Sequence, residues 1–339
     1  SVPSGFKVLT QDNMATTDKG VSGLVWAKSR DNTGATLPHQ IVDSSRGVGK
    51  RLIPNDTNVE AFNANHLTKF LKGGYATGDI NVLNTAGDSM VAWNWVANGG
   101  TTETIDTGGD VTIATTVQKN TTAGFSICRW TAPSSAGKFA HGLSQAPEFI
   151  IGKDLGRPVG WLVYHKDVGT GKVFYLNSSS APSPNATGYS TAPTATVVDP
   201  GTGITSASSY GEQVYYCWHG VDGFSKFGKY TGNGSSSGDG TFVYTGFKPA
   251  WIMIKETGNT NDWMIWDNAR FPSNPTNNSL FADLTQGDNG SSIDLDVLSN
   301  GFKPRTNNSQ INRSNGSYIY MAFAEHPFNG DGTSPVTAR

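Results

Sequence analysis

Charged side chains are scarce in this chain of 339 residues: Asp, Glu, Lys and Arg together make up 15%, against roughly a quarter in ordinary soluble domains. The net charge is −2 and the sequence pI is about 6.3, so no basic field is present to hold nucleic acid or an anionic membrane. The sequence also lacks any apolar run of about 18 residues, the length that a membrane-spanning helix requires. We therefore expect neither nucleic acid binding nor membrane insertion.

Cysteine is scarce as well, since Cys128 and Cys217 are the only two. Both lie in apolar, strand-like stretches, where they are either buried free thiols or partners in a disulfide. Two cysteines are too few for a zinc site, and the histidines have no spacing typical of metal ligands. No Ser–His–Asp or Cys–His–Asp grouping is recognisable either. We therefore expect no metal, no cofactor and no enzymatic activity.

Glycine is abundant instead, at 41 residues, and Ser, Thr and Asn are plentiful. These residues separate short apolar stretches rich in β-branched and aromatic side chains, such as WIMIK and WMIWD. Short strands joined by polar turns predict an all-β fold of the sandwich type. The segment 59–71, VEAFNANHLTKFL, is a helical candidate, because its apolar residues fall at 59, 62, 67, 70 and 71.

An apolar run that ends in lysine, a polar turn and a second apolar run occur three times along the chain. The lysines are Lys28, Lys153 and Lys255, and each is followed at a nearly constant distance by a closing, strand-like stretch. The distances are 65, 64 and 66 residues: from Lys28 to Trp93, from Lys153 to Cys217 and from Lys255 to Met321. This constancy predicts three copies of one unit, and stacked copies would form a rod or a layered surface.

The expected architecture is three tandem β-sandwich repeats, of the jelly-roll or concanavalin A-like kind, with about 100 residues each. A segment rich in Gly, Thr and Asp separates the first two repeats and is interpreted as a linker with at most one strand. The boundaries are 1–99 for the first repeat with a divergent lead-in at 1–20, 100–121 for the linker, 122–222 for the second repeat, 223–328 for the third and 329–339 for a C-terminal tail.

A polar pair follows the second hairpin strand in two of the three repeats. Asp43 and Arg46 in the first repeat match Asp267 and Arg270 in the third, whereas the second repeat reads YHKDVG there and lacks the arginine. Such a pair is a candidate for binding a sugar or a carboxylate ligand. The alternative is a structural bridge, in which the arginine forks onto the aspartate and pins the turn.

Two of the nine tryptophans are candidates for stacking on sugar rings. Trp161 and Trp263 follow turns and begin strands, whereas most of the others lie within apolar strand runs. The alternative is that these two rings also belong to the hydrophobic core, where large aromatic side chains are usually found.

Four phrases of the sequence resemble a repeat of virion proteins from tailed bacteriophages, mostly phages of marine bacteria. The phrases are MVAWNW, SKFGKYTGNGS, FVYTGFKPAWIMIK and YIYMAFAEHPF. Proteins with this repeat are usually described as tail-fibre-like or concanavalin A-like, and the repeat region follows a SPRY-like module. The resemblance covers nearly the whole chain and implies a virion component at the host-facing particle surface.

The function that we expect is that of a tail fibre or tailspike-like adhesin, which binds host-surface polysaccharide and contacts other virion proteins. The alternative is a head-fibre or capsid decoration protein without a ligand. A third alternative is a glycan depolymerase that uses Asp294 and Asp296, two residues apart on one strand. Undefended strand edges also predict a homo-oligomer, and the resemblance to phage fibres favours a trimer.

Overall fold

The computed structural model describes residues 23–31, 37–71, 74–97, 101–185, 188–205, 210–288, 290 and 293–327. Of these described residues, 42% lie in strands and 3% in helices, which confirms the all-β fold that the composition predicts. The described part of the chain contains two helices of four residues each, α1 (Asn81–Asn84) and α2 (Thr202–Thr205). The expected lead-in at 1–20 and the expected tail at 329–339 lie outside the described residues.

The strands fall into three sections of the chain, which we call the first, middle and last sections. The first section contains β1 (Gly23–Ser29), β2 (Gln40–Asp43), β3 (Lys50–Arg51), β4 (Ala61–Phe62), β5 (Leu67–Leu71), β6 (Gly74–Thr77) and β7 (Met90–Val96). The middle section contains β8 (Glu103–Ile105), β9 (Thr115–Asn120), β10 (Phe125–Thr131), β11 (Phe139–Ala140), β12 (Phe149–Asp154), β13 (Leu162–His165), β14 (Lys172–Tyr175), β15 (Ser183–Pro184), β16 (Val197–Val198) and β17 (Glu212–Trp218). The last section contains β18 (Ser225–Thr231), β19 (Val243–Tyr244), β20 (Pro249–Glu256), β21 (Met264–Asp267), β22 (Leu280–Phe281), β23 (Leu295–Leu298), β24 (Gly301–Pro304) and β25 (Ser317–Ala324).

Each section has a main antiparallel sheet built around a central strand that is buried along nearly all of its length. The central strands are β1, β12 and β20, and each lies between a hairpin partner (β2, β13 or β21) and a closing strand (β7, β17 or β25). The three lysines occupy the same place on these strands. Lys28 lies opposite Val91, Lys153 opposite Val214 and Lys255 opposite Ile319. The residue that corresponds to Trp93 in the middle section is therefore Tyr216 and not Cys217.

One face of each main sheet points into a single hydrophobic core that all three sections share. Trp95 on β7 packs edge-on against Trp218 on β17, Trp251 on β20 and Phe323 on β25. The ring centroids are 5.9, 5.5 and 5.6 Å apart. Edge-to-face packing of this kind is a favourable geometry for aromatic rings. One indole thus joins the three sheets, and the sections form a single block.

The other face of each main sheet packs against a smaller layer from its own section. That layer is the β5–β6 hairpin in the first section, the β11–β16 pair in the middle section and the β19–β24–β23 sheet in the last. Each section therefore has two layers with apolar side chains between them, as expected for a sandwich.

The three sections close into a ring instead of stacking in a row. The residue just before β2, β13 and β21 makes the same hydrogen bond in each case, to a main-chain carbonyl of a neighbouring section. The three bonds join His39 Nε2 to Phe281 O at 2.8 Å, Trp161 Nε1 to Ile53 O at 2.9 Å and Trp263 Nε1 to Tyr175 O at 3.0 Å. The first section thus contacts the last, so the expectation of a row of stacked copies is replaced by a closed arrangement.

The helix expected at residues 59–71 is wrong, because β4 and β5 occupy that segment. Leu67 and Phe70 both point into the core although they are three residues apart. The pairing of β5 with β6 contains a register shift between Leu67 and Lys69. Such a bulge breaks the alternation of side chains along a strand, which is why the spacing resembled that of a helix.

The segment 100–121 also differs from the linker that its composition indicates. It contributes β8 and β9 to the middle sheet, and β9 pairs with β10 along its length, with Gln118 opposite Ile127. Val117 is buried in the core of the middle section. The polar composition reflects in part β8, the end strand of the sheet, where the side chains of Glu103 and Thr104 are exposed.

Candidate functional site

The first of the two predicted Asp–Arg pairs is buried in the turn after β2. Asp43 is 0% exposed and Arg46 is 5% exposed. Asp43 Oδ1 accepts the main-chain N–H of Arg46 at 2.9 Å, and its Oδ2 accepts Arg46 Nε at 2.5 Å. Arg46 also donates to Glu60 at 3.0 Å, and the Tyr216 hydroxyl of the middle section donates to Asp43 Oδ2 at 2.7 Å. The pair therefore holds the turn and joins the first section to the middle one.

The second pair repeats this geometry after β21. Asp267 Oδ1 accepts the main-chain N–H of Arg270 at 2.9 Å, and Oδ2 accepts Arg270 Nε at 2.6 Å. Arg270 Nη1 donates to Asp288 at 2.6 Å. Trp93 of the first section donates its indole N–H to Asp267 Oδ2 at 3.1 Å. Trp93 and Tyr216 hold corresponding places on their closing strands, so the two joints are built alike.

The middle section makes the third joint without an arginine. His165 lies where the other sections have aspartate, and Val168 takes the place of the arginine and packs against the shared core. His165 Nδ1 accepts the main-chain N–H of Asp167 at 3.1 Å, while Nε2 lies 3.4 Å from the carbonyl of Tyr320 in the last section. The position thus serves as a joint in all three sections. This burial favours the structural bridge over a ligand-binding pair.

The two tryptophans predicted to stack on sugars lie in the interior. Trp161 is 0% exposed and Trp263 is 1% exposed, and both indole N–H groups are bonded to main-chain carbonyls. The Trp263 ring stacks on Phe174, with centroids 5.4 Å apart and an angle of 9° between the planes. Neither ring has a face open to a sugar, so the structure favours the core alternative for both.

The three lysines at the ends of the central strands are buried and bind main-chain carbonyls around the hairpin turns. Lys28 Nζ donates to Ser29 O. Lys153 Nζ donates to Asp154 O and Arg157 O. Lys255 Nζ donates to Ser179 O, Glu256 O and Asn261 O. Burial in a medium that solvates charge poorly lowers the pKa of each lysine to about 8. Lys28 and Lys153 bind carbonyls of their own sections, whereas Lys255 also reaches the middle section through Ser179 O.

Raising the pH from 7 to 9.5 is expected to increase the free energy of unfolding, because these buried lysines then lose the charge that the protein interior solvates poorly. The pKa of Lys255 is about 8 in the fold against 10.5 for the free side chain, so the folded state loses this proton first and gains stability as the pH rises. In the variant Lys255→Met, we expect this alkaline gain in the free energy of unfolding to fall by about 2 kcal/mol. Urea unfolding at both pH values measures it. The exposed Lys172→Met is the control, and equal gains in the two variants would contradict a buried ammonium.

The surface feature best suited to a ligand is an open groove of about 460 Å³ along β18, between the middle and last sections. Three lysines line it, Lys166, Lys226 and Lys229. Two aromatic rings beside them are unusually exposed, Phe242 at 46% and Tyr244 at 58%. The Lys226 ammonium lies 4.9 Å from the centroid of the Tyr244 ring, in cation–π geometry. The groove therefore offers both positive charge and flat apolar faces.

The charge balance of the groove favours an anionic ligand. Asp167 also lines it and lies 3.6 Å from Lys229, and Glu148 lies 3.0 Å from Lys166, so two of the three ammonium groups are partly compensated. The side chain of Lys229 remains 69% exposed. Ammonium groups and aromatic faces can bind and orient a ligand, but the lining contains no pair of carboxyl groups for acid–base chemistry.

The carboxylates considered for a depolymerase are not arranged as a free pair. Asp296 forms an ion pair with Arg305 at 3.0 Å and lies opposite Lys303 in the β23–β24 ladder. The main-chain carbonyl of Asp294 accepts the N–H of Arg305 at 2.8 Å. These contacts connect two strands and leave the third alternative without support from the geometry.

The structure also bears on metal ions, on membrane-spanning helices and on the two cysteine thiols. Within the described ranges, no group of three or more His, Cys, Asp or Glu side chains could hold a metal ion. Within the same ranges, no helix is long and apolar enough to cross a membrane. Cys128 and Cys217 are both buried free thiols.

The groove was not predicted from the sequence, although two stretches of the sequence carry signals for it. The strand SKFGKYT carries two lysines, which are typical of a strand at the edge of a sheet. In the stretch TFVYTGF, the buried Val243 lies between Phe242 and Tyr244, so strict alternation places both rings on the outer face. Neither signal shows that the two stretches meet, because that depends on the packing of β18 beside β19.

Comparisons with known proteins identify one family. A model described as a domain of unknown function, DUF7483, matches residues 9–327. No curated protein and no solved structure matches the chain. The family model covers nearly all of the sequence, so the chain belongs to the DUF7483 family of domains of unknown function.

Proposed function

We propose that this chain is a non-enzymatic virion protein of a tailed phage, in which three copies of one β-sandwich close into a rigid block of a fibre or similar appendage. The observation that carries the proposal is the joint made three times around the ring by Asp43, His165 and Asp267 with the neighbouring sections. The polar side chains that could best take part in catalysis already form these contacts between sections. The resemblance of the sequence to tail-fibre-like repeats supports a place in the virion.

Labelling of purified virions tests this proposal. We expect gold-labelled antibodies against the chain to mark an appendage of the particle, with three copies for each appendage if the proposed homotrimer forms. Label on the tail agrees with a host-facing fibre, and label on the head agrees with a decoration protein. Particles that carry no label, from a lysate that contains the protein, would contradict a virion role.

A second candidate role is attachment to host-surface polysaccharide, as an adhesin. One observation favours it: the groove presents the exposed rings of Phe242 and Tyr244 beside the lysines of β18. Aromatic faces suit sugar rings, and ammonium groups suit the carboxylates of acidic glycans. The six residues first considered for glycan binding are buried, so the groove is the better supported location for this role.

A further inference from the structure

A small cleft lies beside strands β3 and β4, next to the joint between the first and middle sections. It has a volume of about 200 Å³ and is separate from the groove along β18. Its lining consists of Arg51, Ile53, Asn58, Val59 and Ala61. The cleft therefore combines one guanidinium and one amide with three apolar side chains.

Contacts with the middle section hold the walls of this cleft in place. Trp161 donates its indole N–H to the main-chain carbonyls of Ile53 at 2.9 Å and of Asp56 at 3.1 Å. The main-chain N–H of Glu60 binds the carbonyl of Leu155 at 2.9 Å. The chain between β3 and β4 is thus anchored at both ends, so the cleft is preformed, as most ligand sites are.

Arg51 differs from the other arginines of the described ranges, because no described residue forms an ion pair with it. Its Nε is buried without a partner. Its two Nη atoms are open to the cleft, and no described residue accepts a hydrogen bond from them. The other described arginines each contact a carboxylate or an aromatic ring: Arg30, Arg46, Arg129, Arg157, Arg270, Arg305 and Arg313.

The carboxylates near the cleft bind other groups. Glu60 forms an ion pair with Arg46 at 3.0 Å. Asp56 Oδ2 accepts a hydrogen bond from Asn58 Nδ2 at 2.7 Å, which orients the amide of Asn58 at the rim. The positive charge of Arg51 therefore remains available to a ligand.

The register of the three main sheets shows which residues correspond to Arg51. The equivalent pairs are Ile41 with Leu52, Val163 with Phe174 and Ile265 with Leu280. Arg51, Val173 and Ser279 therefore hold the same place. Val173 is 7% exposed and packs in the core of the middle section, and Ser279 is 0% exposed. An unpaired charge at such an inward-facing position costs free energy, and local costs of this kind are typical of functional sites.

We propose that this cleft binds a single uronic acid unit, the acidic sugar of a host-surface polysaccharide. The Nη atoms of Arg51 bind the sugar carboxylate, because guanidinium and carboxylate groups match in geometry as well as in charge. The apolar side chains cover the C–H face of the sugar ring, and the Asn58 amide binds a hydroxyl. The choice of a sugar rests on the proposed attachment to polysaccharide, whereas the need for a carboxylate rests on Arg51.

The size of the cleft and the type of donor both favour a sugar unit. The volume is smaller than the about 300–1,000 Å³ of sites for drug-sized ligands, so one sugar unit fits better than a chain. The terminal carboxylate of a peptide carries the same charge. Such a group is typically bound by clustered main-chain N–H groups, whereas the charged donor in this cleft is a side chain.

Methyl NMR spectra of the full chain, labelled at Ala, Ile and Val, test the proposal. Addition of methyl β-glucuronoside should shift the signals of Ile53, Val59 and Ala61 and leave Val243, in the groove along β18, unchanged. Methyl β-glucoside has a hydroxymethyl group in place of the carboxylate and should bind at least about tenfold more weakly. The variant Arg51→Gln should weaken binding of the glucuronoside to the same extent, and the exposed Lys172→Gln should leave it unchanged.

The two glycosides require no change in the protein, so they decide the question even if Arg51→Gln folds poorly. Equal binding of both glycosides would overturn the proposal, as would a glucuronoside that shifts Val243 and none of the cleft residues. If N-acetylvaline binds as tightly as the glucuronoside, the cleft recognises carboxylates in general and the assignment to a sugar fails. A glucuronoside that binds here, together with virions that carry no label, would refute the virion role and leave this site in place.

Discussion

Lowering the pH from 7 to 5 is expected to remove several kcal/mol of stability, because four buried histidines are held neutral in the fold. Each of the four rings is fully buried. Burial is the main cause of a lowered pKa in every case. The pKa is about 3 for His39 and about 4 for His66, His141 and His165.

Hydrogen bonds explain why three of these rings resist protonation. Nδ1 of His39 accepts the indole N–H of Trp26 at 2.9 Å, and Nδ1 of His141 accepts a main-chain N–H at 3.2 Å. Nδ1 of His165 does the same at 3.1 Å. In all three rings Nε2 faces a main-chain carbonyl. A protonated Nδ1 would face another N–H group, so the neutral ring is the form that fits.

The direction of the stability change depends on whether the folded or the unfolded chain takes up protons first as the pH falls. Below pH 6.5 the unfolded chain takes up protons on these histidines while the folded chain does not, so stability falls as the pH drops from 6.5 towards 4. At pH 5 each ring costs about 2 kcal/mol. Asp283 acts in the opposite direction, because burial and then Asp262 raise its pKa to about 7 and its protonation stabilises the fold. The net loss remains a large part of the 5–15 kcal/mol of a typical domain.

Urea unfolding at pH 7 and pH 5 measures this loss. The variant His141→Gln keeps an acceptor and a donor without a titrating ring, and we expect it to reduce the acid loss by about 2 kcal/mol. The exposed His326→Gln is the matched control and should leave the acid loss unchanged. An acid loss that is the same in wild type and His141→Gln would refute a neutral buried ring at this position.

Replacing Asp43 with alanine is expected to cost about 3–5 kcal/mol, because it leaves the buried Arg46 guanidinium without its main partner. The change also removes the acceptor of the Tyr216 hydroxyl, and thus the joint between the first and middle sections. The exposed Asp110→Ala should change stability by less than about 0.5 kcal/mol. Chemical unfolding of both variants provides the comparison.

A double variant separates the cost of an unpaired charge from the loss of a contact. Asp43→His with Arg46→Val copies the residues of the middle section, where His165 and Val168 occupy these places. We expect it to be more stable than Asp43→Ala, because no arginine is left buried without its partner. If the double variant is the less stable of the two, the arginine stabilises the turn even without the aspartate.

Some features of the site could be predicted from the sequence, because they depend on neighbours in the chain. Asp43 and Arg46 are three residues apart, as are Asp267 and Arg270, and a turn after a strand brings each pair together. Whether such a pair faces solvent or a neighbouring section is a property of the assembled sheets. Their burial therefore became visible only in the structure.

Structurally equivalent positions can carry chemically different residues, and the sequence alone does not show that such positions correspond. Trp161 and Trp263 each donate an indole N–H to a carbonyl of the neighbouring section, and His39 makes the corresponding contact with a ring nitrogen. The residue types differ, so an alignment by eye does not bring His39 together with the tryptophans. The register of the strands does so, because it depends on main-chain pairing and not on side-chain identity.

By itself the sequence determined the all-β fold, the lysine-ended central strands and the spacing to their closing strands. These follow from short-range patterns of apolar residues, glycine and asparagine, which fix strands and turns locally. Tertiary structure alone decided that β8 and β9 join the middle sheet and that the sections close into a ring. The same spacing fits a row or a ring, since closure depends on contacts between the first and last sections, which are distant in the chain.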